Sequence, residues 1–221
     1  MKILVVNPNT SVEATRFIER EAAMTVSNGT EIVAETAPRG PLNINSMAES
    51  ALQADVVAEV VERCAKDVDG AIIAAYSDPG LDLVRSRMKI PVVGIGESSM
   101  LEAARLGSRI VVVSSNPDNE PLYRDRAAHT GVADRIVNIR YLPKAGRPVL
   151  DLLADRAWLI SAAARACQAA AIEDDADVVI IAGGPLAGVA RDIAESEIPV
   201  LDCVACAVTR MERWLATGTP D

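Results

Sequence analysis

Two hydrophobic periods alternate along this chain. Short β-branched runs at residues 3–6, 31–35, 71–75 and 91–94 are bounded by Asn, Pro and Gly and read as strands. Between them, residues 11–24, 47–64 and 80–87 carry apolar positions at helical spacing. The second half repeats the plan. Strands are expected at 110–113, 136–139, 178–182 and 199–201, and helices near Leu101 and Leu122 and over 150–172, 187–196 and 204–215.

The repetition extends to residue identities. Asp69-Gly-Ala-Ile-Ile-Ala74 returns as Asp177-Val-Val-Ile-Ile-Ala182, and at the same spacing Ile90-Pro91-Val92 meets Ile198-Pro199-Val200. Gly80 falls opposite Gly188, and at nearly the same offset Lys2-Ile-Leu-Val-Val6 meets Arg109-Ile-Val-Val-Val113. A shared offset over four strands predicts an α/β chain of two pseudo-symmetric Rossmann-like lobes, each a small parallel sheet with flanking helices. The boundaries expected are 1–96 plus 203–221 for the first lobe and 97–202 for the second. Ligands of open parallel sheets bind beyond the carboxyl ends of the strands. An active-site cleft is therefore expected between the lobes, formed by residues 7–11, 75–80, 114–117 and 183–188.

Composition narrows the partners. Of 221 residues half are apolar and a quarter charged, which supports a sizeable core, while aromatics make up only 3%. Few aromatics and a net charge of −9 argue against nucleic acid and anionic membranes, leaving a small-molecule substrate. The N-terminal apolar run stops at Asn7-Pro8, too short for a signal peptide, and no apolar stretch reaches membrane length. Four cysteines (Cys64, Cys167, Cys203, Cys206) show no disulfide-framework spacing, so a cytoplasmic protein with reduced thiols is expected.

Candidate chemistry sits at the strand ends. In Asn7-Pro-Asn-Thr-Ser11 one hydroxyl, Thr10 or Ser11, suffices as a helix cap. Asn9 and Thr10 are then available for ligand contact. In Tyr76-Ser-Asp-Pro-Gly80, Ser77 or Asp78 is suited to capping the next helix with Pro79 at its first position. Tyr76 and Ser77 are candidate proton carriers at the cleft. Ser114 closes the matching strand of the second half. Gly183 and Gly184 offer backbone donors and close approach, and no acid or base. Cys203 opens a helix after the last strand, where thiol pKa values fall, whereas Cys206 on the next turn reads as core. Cys64 and Cys167 read as buried thiols inside helices. No second Cys pair or nearby His completes a zinc site, so no metal is expected. Gly94-Ile-Gly96 stops short of a dinucleotide fingerprint, so no cofactor is expected either. His129 reads as a solvated residue near a helix end. Glu97, Asp78 and Asp202 are the carboxylates nearest strand ends.

Lys2-Ile-Leu-Val-Val-Asn-Pro-Asn-Thr10, Ser77-Asp-Pro-Gly-Leu81, Ile90-Pro-Val-Val-Gly-Ile-Gly-Glu97 and the Gly183–Gly188 loop together resemble the aspartate/glutamate/hydantoin racemase superfamily, in its hydantoin and allantoin racemase branch. The likeness spans nearly the whole chain. It implies two lobes, no cofactor or metal, oligomers, and two-base proton transfer by one cysteine from each lobe. The first family cysteine falls on Ala75, ahead of Tyr76-Ser-Asp-Pro79, and the second on Gly183, or on Gly184 if the match slides by one. Neither residue type moves a proton. The resemblance thus implies a hydantoin racemase-like isomerase acting at an acidic carbon. A cofactor-free decarboxylase, lyase or hydrolase is the alternative, and a binding protein a third reading. Tyr76, Ser77 and Cys203 are the expected catalytic groups. Asn9, Thr10, Asp78, Ser114, Gly183 and Gly184 are expected to hold substrate, in what is expected to be a homo-oligomer.

Overall fold

Among the described residues eight parallel strands form two sheets of four. β1 (Lys2–Asn7), β2 (Glu31–Thr36), β3 (Gly70–Ile73) and β4 (Val92–Gly94) lie in the order β2-β1-β3-β4. β5 (Ile110–Ser114), β6 (Ile136–Tyr141), β7 (Val178–Ile181) and β8 (Val200–Asp202) repeat that order as β6-β5-β7-β8. The helices are α1 (Val12–Thr25), α2 (Met47–Cys64), α3 (Leu81–Arg87), α4 (Ile95–Leu106), α5 (Glu120–His129), α6 (Arg156–Glu173), α7 (Val189–Asp192) and α8 (Cys203–Thr217). This computed structural model describes residues 1–143, 154–193 and 196–220. Positions 150–153 and 194–195 of two expected helices lie outside the described residues.

Three strands of the second sheet start the same number of residues after their counterparts, as Lys2 and Ile110, Gly70 and Val178, and Val92 and Val200 show, while the edge strand β6 starts slightly earlier, Ile136 against Glu31. Even the fastening is duplicated. Asp69 accepts the Lys2 amide at 2.7 Å, and Asp177 accepts the Arg109 amide at 2.9 Å, tying the start of each first strand to the loop before the third.

Alternation along the strands assigns the layers. Ile3, Val5, Ile72, Ile110, Val112 and Ile180 point into one core shared by both lobes. Leu4, Val6 and Ile73 face α2 and α3 on one outer side, and Val111, Val113 and Ile181 face α6 on the other. Between the sheets run α1, α4, α5 and α8. Ser11 caps α1, its Oγ accepting the Ala14 amide at 3.1 Å, and Ala14, Ile18 and Ala22 make its buried stripe.

The helix after each fourth strand crosses over. α4 leaves β4 and packs on β7 and β8, while α8 leaves β8 and packs on β3 and β4. Among the described residues no helix is long and apolar enough to cross a membrane.

Candidate active site

A cavity of about 280 Å³ opens at the carboxyl ends of β1, β3, β5 and β7. The first lobe supplies Asn9, the 43–45 loop, and Ala74, Ala75, Tyr76 and Ser77. The second supplies Ser115, Asn116, Asp118, Asn119, Leu122 and Tyr123 together with Ala182–Pro185. Asn116 Nδ2 donates to Asn45 Oδ1 at 2.9 Å, which bridges the two lobes at the rim.

Most of the wall is neutral and hydrogen-bonding. Asn7, fully buried, donates through Nδ2 to Asn9 Oδ1 at 2.9 Å and to Thr15 Oγ1 at 3.0 Å. The Ser11 amide also reaches Asn9 Oδ1, at 2.9 Å. The acceptor end of Asn9 is thereby committed to the loop, leaving its Nδ2 as a donor toward the cavity. Ser77 is arranged similarly. The Ser50 hydroxyl donates to Ser77 Oγ at 3.0 Å, so the Ser77 proton is left for a ligand.

Gly183 and Gly184 line the cavity, Tyr76 meets it at the floor, and the other expected site residues are placed elsewhere. Thr10 donates from both its amide and its hydroxyl to Pro41 O, at 3.0 and 3.3 Å, and pins the 41–45 loop to the end of β1. Ser114 is buried behind the wall with its Oγ 2.8 Å from Tyr123 Oη. Tyr76 forms part of the floor, 4% exposed, its ring edge-on to Tyr123 with centroids 4.9 Å apart. The Tyr76 hydroxyl is buried without a hydrogen bond of good geometry, and burial pushes its pKa well up against the pull of the nearby Ser99 hydroxyl. Cys203 is fully buried in the shared core beneath the Gly183 backbone, and burial likewise raises its thiol. Its helix-start position therefore does not yield an activated thiolate, because desolvation outweighs the nearby amide.

Asp78 turns away from the cavity. Its backbone adopts φ 48°, and its carboxylate accepts the Gly96 amide at 2.9 Å and the Glu97 amide at 2.7 Å. It caps α4, eighteen positions on, whereas the next helix, α3, starts from Gly80 without a side-chain cap. Arg126 Nη1 of α5 stands 3.6 Å from the same carboxylate. Burial raises the Asp78 pKa to about 7, against the pull of Arg126 and the two amides. Here lies the reason for Gly94-x-Gly96. A Cβ on Gly94 would come within 2.1 Å of the Asp78 carboxyl carbon, and one on Gly96 within 2.0 Å of Tyr76 O.

Across the cleft, Asp202 caps α8 through the amides of Val204 and Ala205 at 2.8 and 3.1 Å. Its other oxygen accepts the Gly188 amide at 2.6 Å, which fixes the end of the glycine loop. Glu97 is clamped by Arg85 and Arg210 at 2.7 and 2.6 Å, which offset its desolvation and hold its pKa below the usual range. His129 is exposed and Cys167 buried, as expected, while Cys64 and Cys206 are only half-buried. Among the described residues no group of three or more His, Cys, Asp or Glu is placed to hold a metal ion.

The cleft between two duplicated lobes, entered by an Asn-rich loop and a glycine loop, has known counterparts. Residues 3–211 match the model of the Asp/Glu/Hydantoin racemase family. The chain belongs to that family. It is 34% identical over 220 residues to the hydantoin racemase of Pseudomonas sp. (strain NS671), covering 99% of this chain and 87% of that one. Among solved structures it is similar to the allantoin racemase from Klebsiella pneumoniae, with a TM-score of 0.91 and 29% identity, covering 100% of this chain and 89% of that chain. It is also similar to the allantoin racemase from Pseudomonas fluorescens, with a TM-score of 0.90 and 32% identity, covering 100% and 93%. This racemase-family chain thus shares the fold of that branch over its whole length. Asn43, Asn45 and Asn119 were not singled out by the sequence, although Asn43 and Asn45 stand two apart just before a capped helix.

Proposed function

We propose that this protein is a cofactor-independent isomerase acting at the acidic carbon of a small hydantoin, an amino-acid derivative or a related acid. The observation that carries this reading is the cavity shared by both lobes, with Asn9 Nδ2 and the Ser77 hydroxyl as uncommitted donors. Such donors suit a ureide or carboxylate. They also stabilise the negative oxygen that develops when the adjacent carbon loses its proton. Ala75 and Gly183, or Gly184, are read as the positions of the family's two thiols, so water takes the proton from carbon and returns it, while Asn9 and Ser77 hold the developing oxyanion. Tyr76, in the floor with its hydroxyl buried, and Cys203, in the core beneath, shape the site in this reading rather than carrying the proton.

The test is proton exchange in D2O. An enantiopure 5-alkylhydantoin and allantoin should exchange their acidic C–H faster than in buffer, followed by NMR and circular dichroism. Losing one donor in Ser77→Ala should slow exchange about 10²-fold. Ala75→Cys should speed it by restoring a thiol. No enzyme-dependent exchange across a panel of hydantoins and amino-acid derivatives sinks the reading.

A second reading is favoured by the Ala75 and Gly183 positions, since a site without a thiol pair suits chemistry that needs one proton donor. A carboxylate on the acidic carbon would leave as carbon dioxide. The bonding electrons would remain as an enolate, held by the Ser77 and Asn9 donors, which then takes a proton from water and releases hydroxide to the solvent. Carbon dioxide release from a 2-substituted malonate, without exchange in hydantoins, would select it.

A further inference from the structure

A second cavity, about 510 Å³, lies away from the strand-end site, between α4, α8 and the end of β8. Leu101, Val200 and Leu201 give it an apolar lining. Its polar groups divide unevenly. The Asp202 oxygens are taken by the amides of Val204, Ala205 and Gly188. Glu21 is taken by Arg191 at 2.7 and 3.2 Å, and Arg210 by Glu97 at 2.6 Å. What remains uncommitted is chiefly donor. The Ser98 hydroxyl, on a residue 2% exposed, is buried with no hydrogen-bond partner. Arg105 lies at the mouth and makes no ion pair with any described residue. Glu102, on the same helix, acts in the opposite sense.

We propose that this cavity is a ligand site for a small carboxylate with an apolar body. The carboxylate meets Arg105, the body lies on Leu101, Val200 and Leu201, and Ser98 donates to a ligand oxygen. A buried hydroxyl left unpaired costs free energy that such an acceptor recovers. Four arginines and three carboxylates line this one cavity of a chain whose net charge is −9, so its charge is far closer to balance than the chain's, with Arg105 at the mouth to meet an anion. Asp202 borders the cavity and holds Gly188, so occupancy bears on the glycine loop of the other site. The proposal stands independently of which reaction that site performs.

The test uses the full chain with ¹³C-labelled Leu and Val methyls, titrated with phenylacetate. The Leu101, Val200 and Leu201 methyls should shift together while Leu122, in the strand-end cavity, stays still. Ser98→Ala should weaken binding about fivefold and Arg105→Gln about threefold, whereas Glu102→Gln should tighten it. Phenylacetamide should bind more weakly than phenylacetate. Circular dichroism on each variant confirms that the fold is retained. Shifts at Leu122 alone, no shifts over a millimolar titration, or equal binding of the amide would each overturn the proposal. So would a concentration-dependent dimer that already covers these methyls without phenylacetate, since the occupant would then be a second copy of the chain.

Discussion

The loops that follow β3 and β7 hold equivalent places in the two lobes, yet they are fastened by opposite means. In the first lobe the loop reaches outward, and Asp78 spans the gap to cap α4. That reach requires a left-handed aspartate and two glycines, Gly94 and Gly96, to clear its path. In the second lobe the fastening comes from the strand end. Asp202 stands where the first lobe has Gly94, caps α8 locally and catches the loop by its Gly188 amide. The second loop therefore approaches the cavity as backbone, with Gly183 and Gly188 at φ 104° and 76°. Duplication preserved the need for a cap on each crossing helix and left its source free to move. One loop became stiff and dependent on a side chain, the other bare.

The largest expected effect tests that asymmetry directly. Gly96→Ala drives a methyl into Tyr76 O and should destabilise by about 3 kcal/mol or more in urea unfolding. At the equivalent position of the second lobe Val204 already carries a side chain, and Val204→Ala should cost only about 2 kcal/mol through lost packing. Equal costs would break the comparison.

Next come the two caps. Asp78→Ala strands Arg126 in the core and uncaps α4, so about 3 kcal/mol is expected, against about 2 kcal/mol for Asp202→Ala. Their pH signatures share a sign. Burial raises the folded pKa to about 7 for Asp78 and about 6 for Asp202, above the unfolded value of about 3.9. The folded state then binds more protons than the unfolded one between these limits. Each aspartate's contribution is fully present near pH 4 and declines as pH rises through its folded pKa. Unfolding free energies of Asp78→Asn, subtracted from those of the parent chain at each pH, should isolate a falling slope up to about pH 7. A rising slope would mean that Arg126 outweighs burial.

Gly188→Ala comes third, at more than about 1 kcal/mol, from its positive φ and from Glu21 Oε2 only 2.9 Å from the new methyl. Tyr76→Phe should be the smallest. Removing a hydroxyl without a hydrogen bond of good geometry should move stability by less than about 0.5 kcal/mol and leave turnover unchanged within about twofold. A large loss of turnover would return Tyr76 to the reacting groups.

The fold was legible where burial on both faces forces β-branched runs, as in β3, β4, β5 and β7, and the half-buried edge strands β2 and β6 also appear close to their expected bounds. Their constant spacing made the duplication visible as well. Local rules failed at Asp78. A residue just before a helix reads as that helix's cap, whereas a left-handed backbone aims it at a helix eighteen positions on. Gly94-x-Gly96 was equally opaque, because its meaning lies in the side chain that fills the space. The cavity's strand-end segments were readable from sheet topology. The contribution of the 43–45 loop was not, because it depends on Thr10 gripping Pro41 across 31 positions of chain.

The exchange of α4 and α8 also orders events in time. When the first four strands have been synthesised, the helix that will cover β3 and β4 lies at the other end of the chain. α4, by contrast, is made early and waits for β7 and β8. Neither half can bury its inner face alone, so completion of both lobes waits for α8, which follows β8 in the chain. A chain stopped before Cys203 would expose the apolar faces of Ile72 and Val93, and it should be met by chaperones or aggregate rather than persist as a folded half.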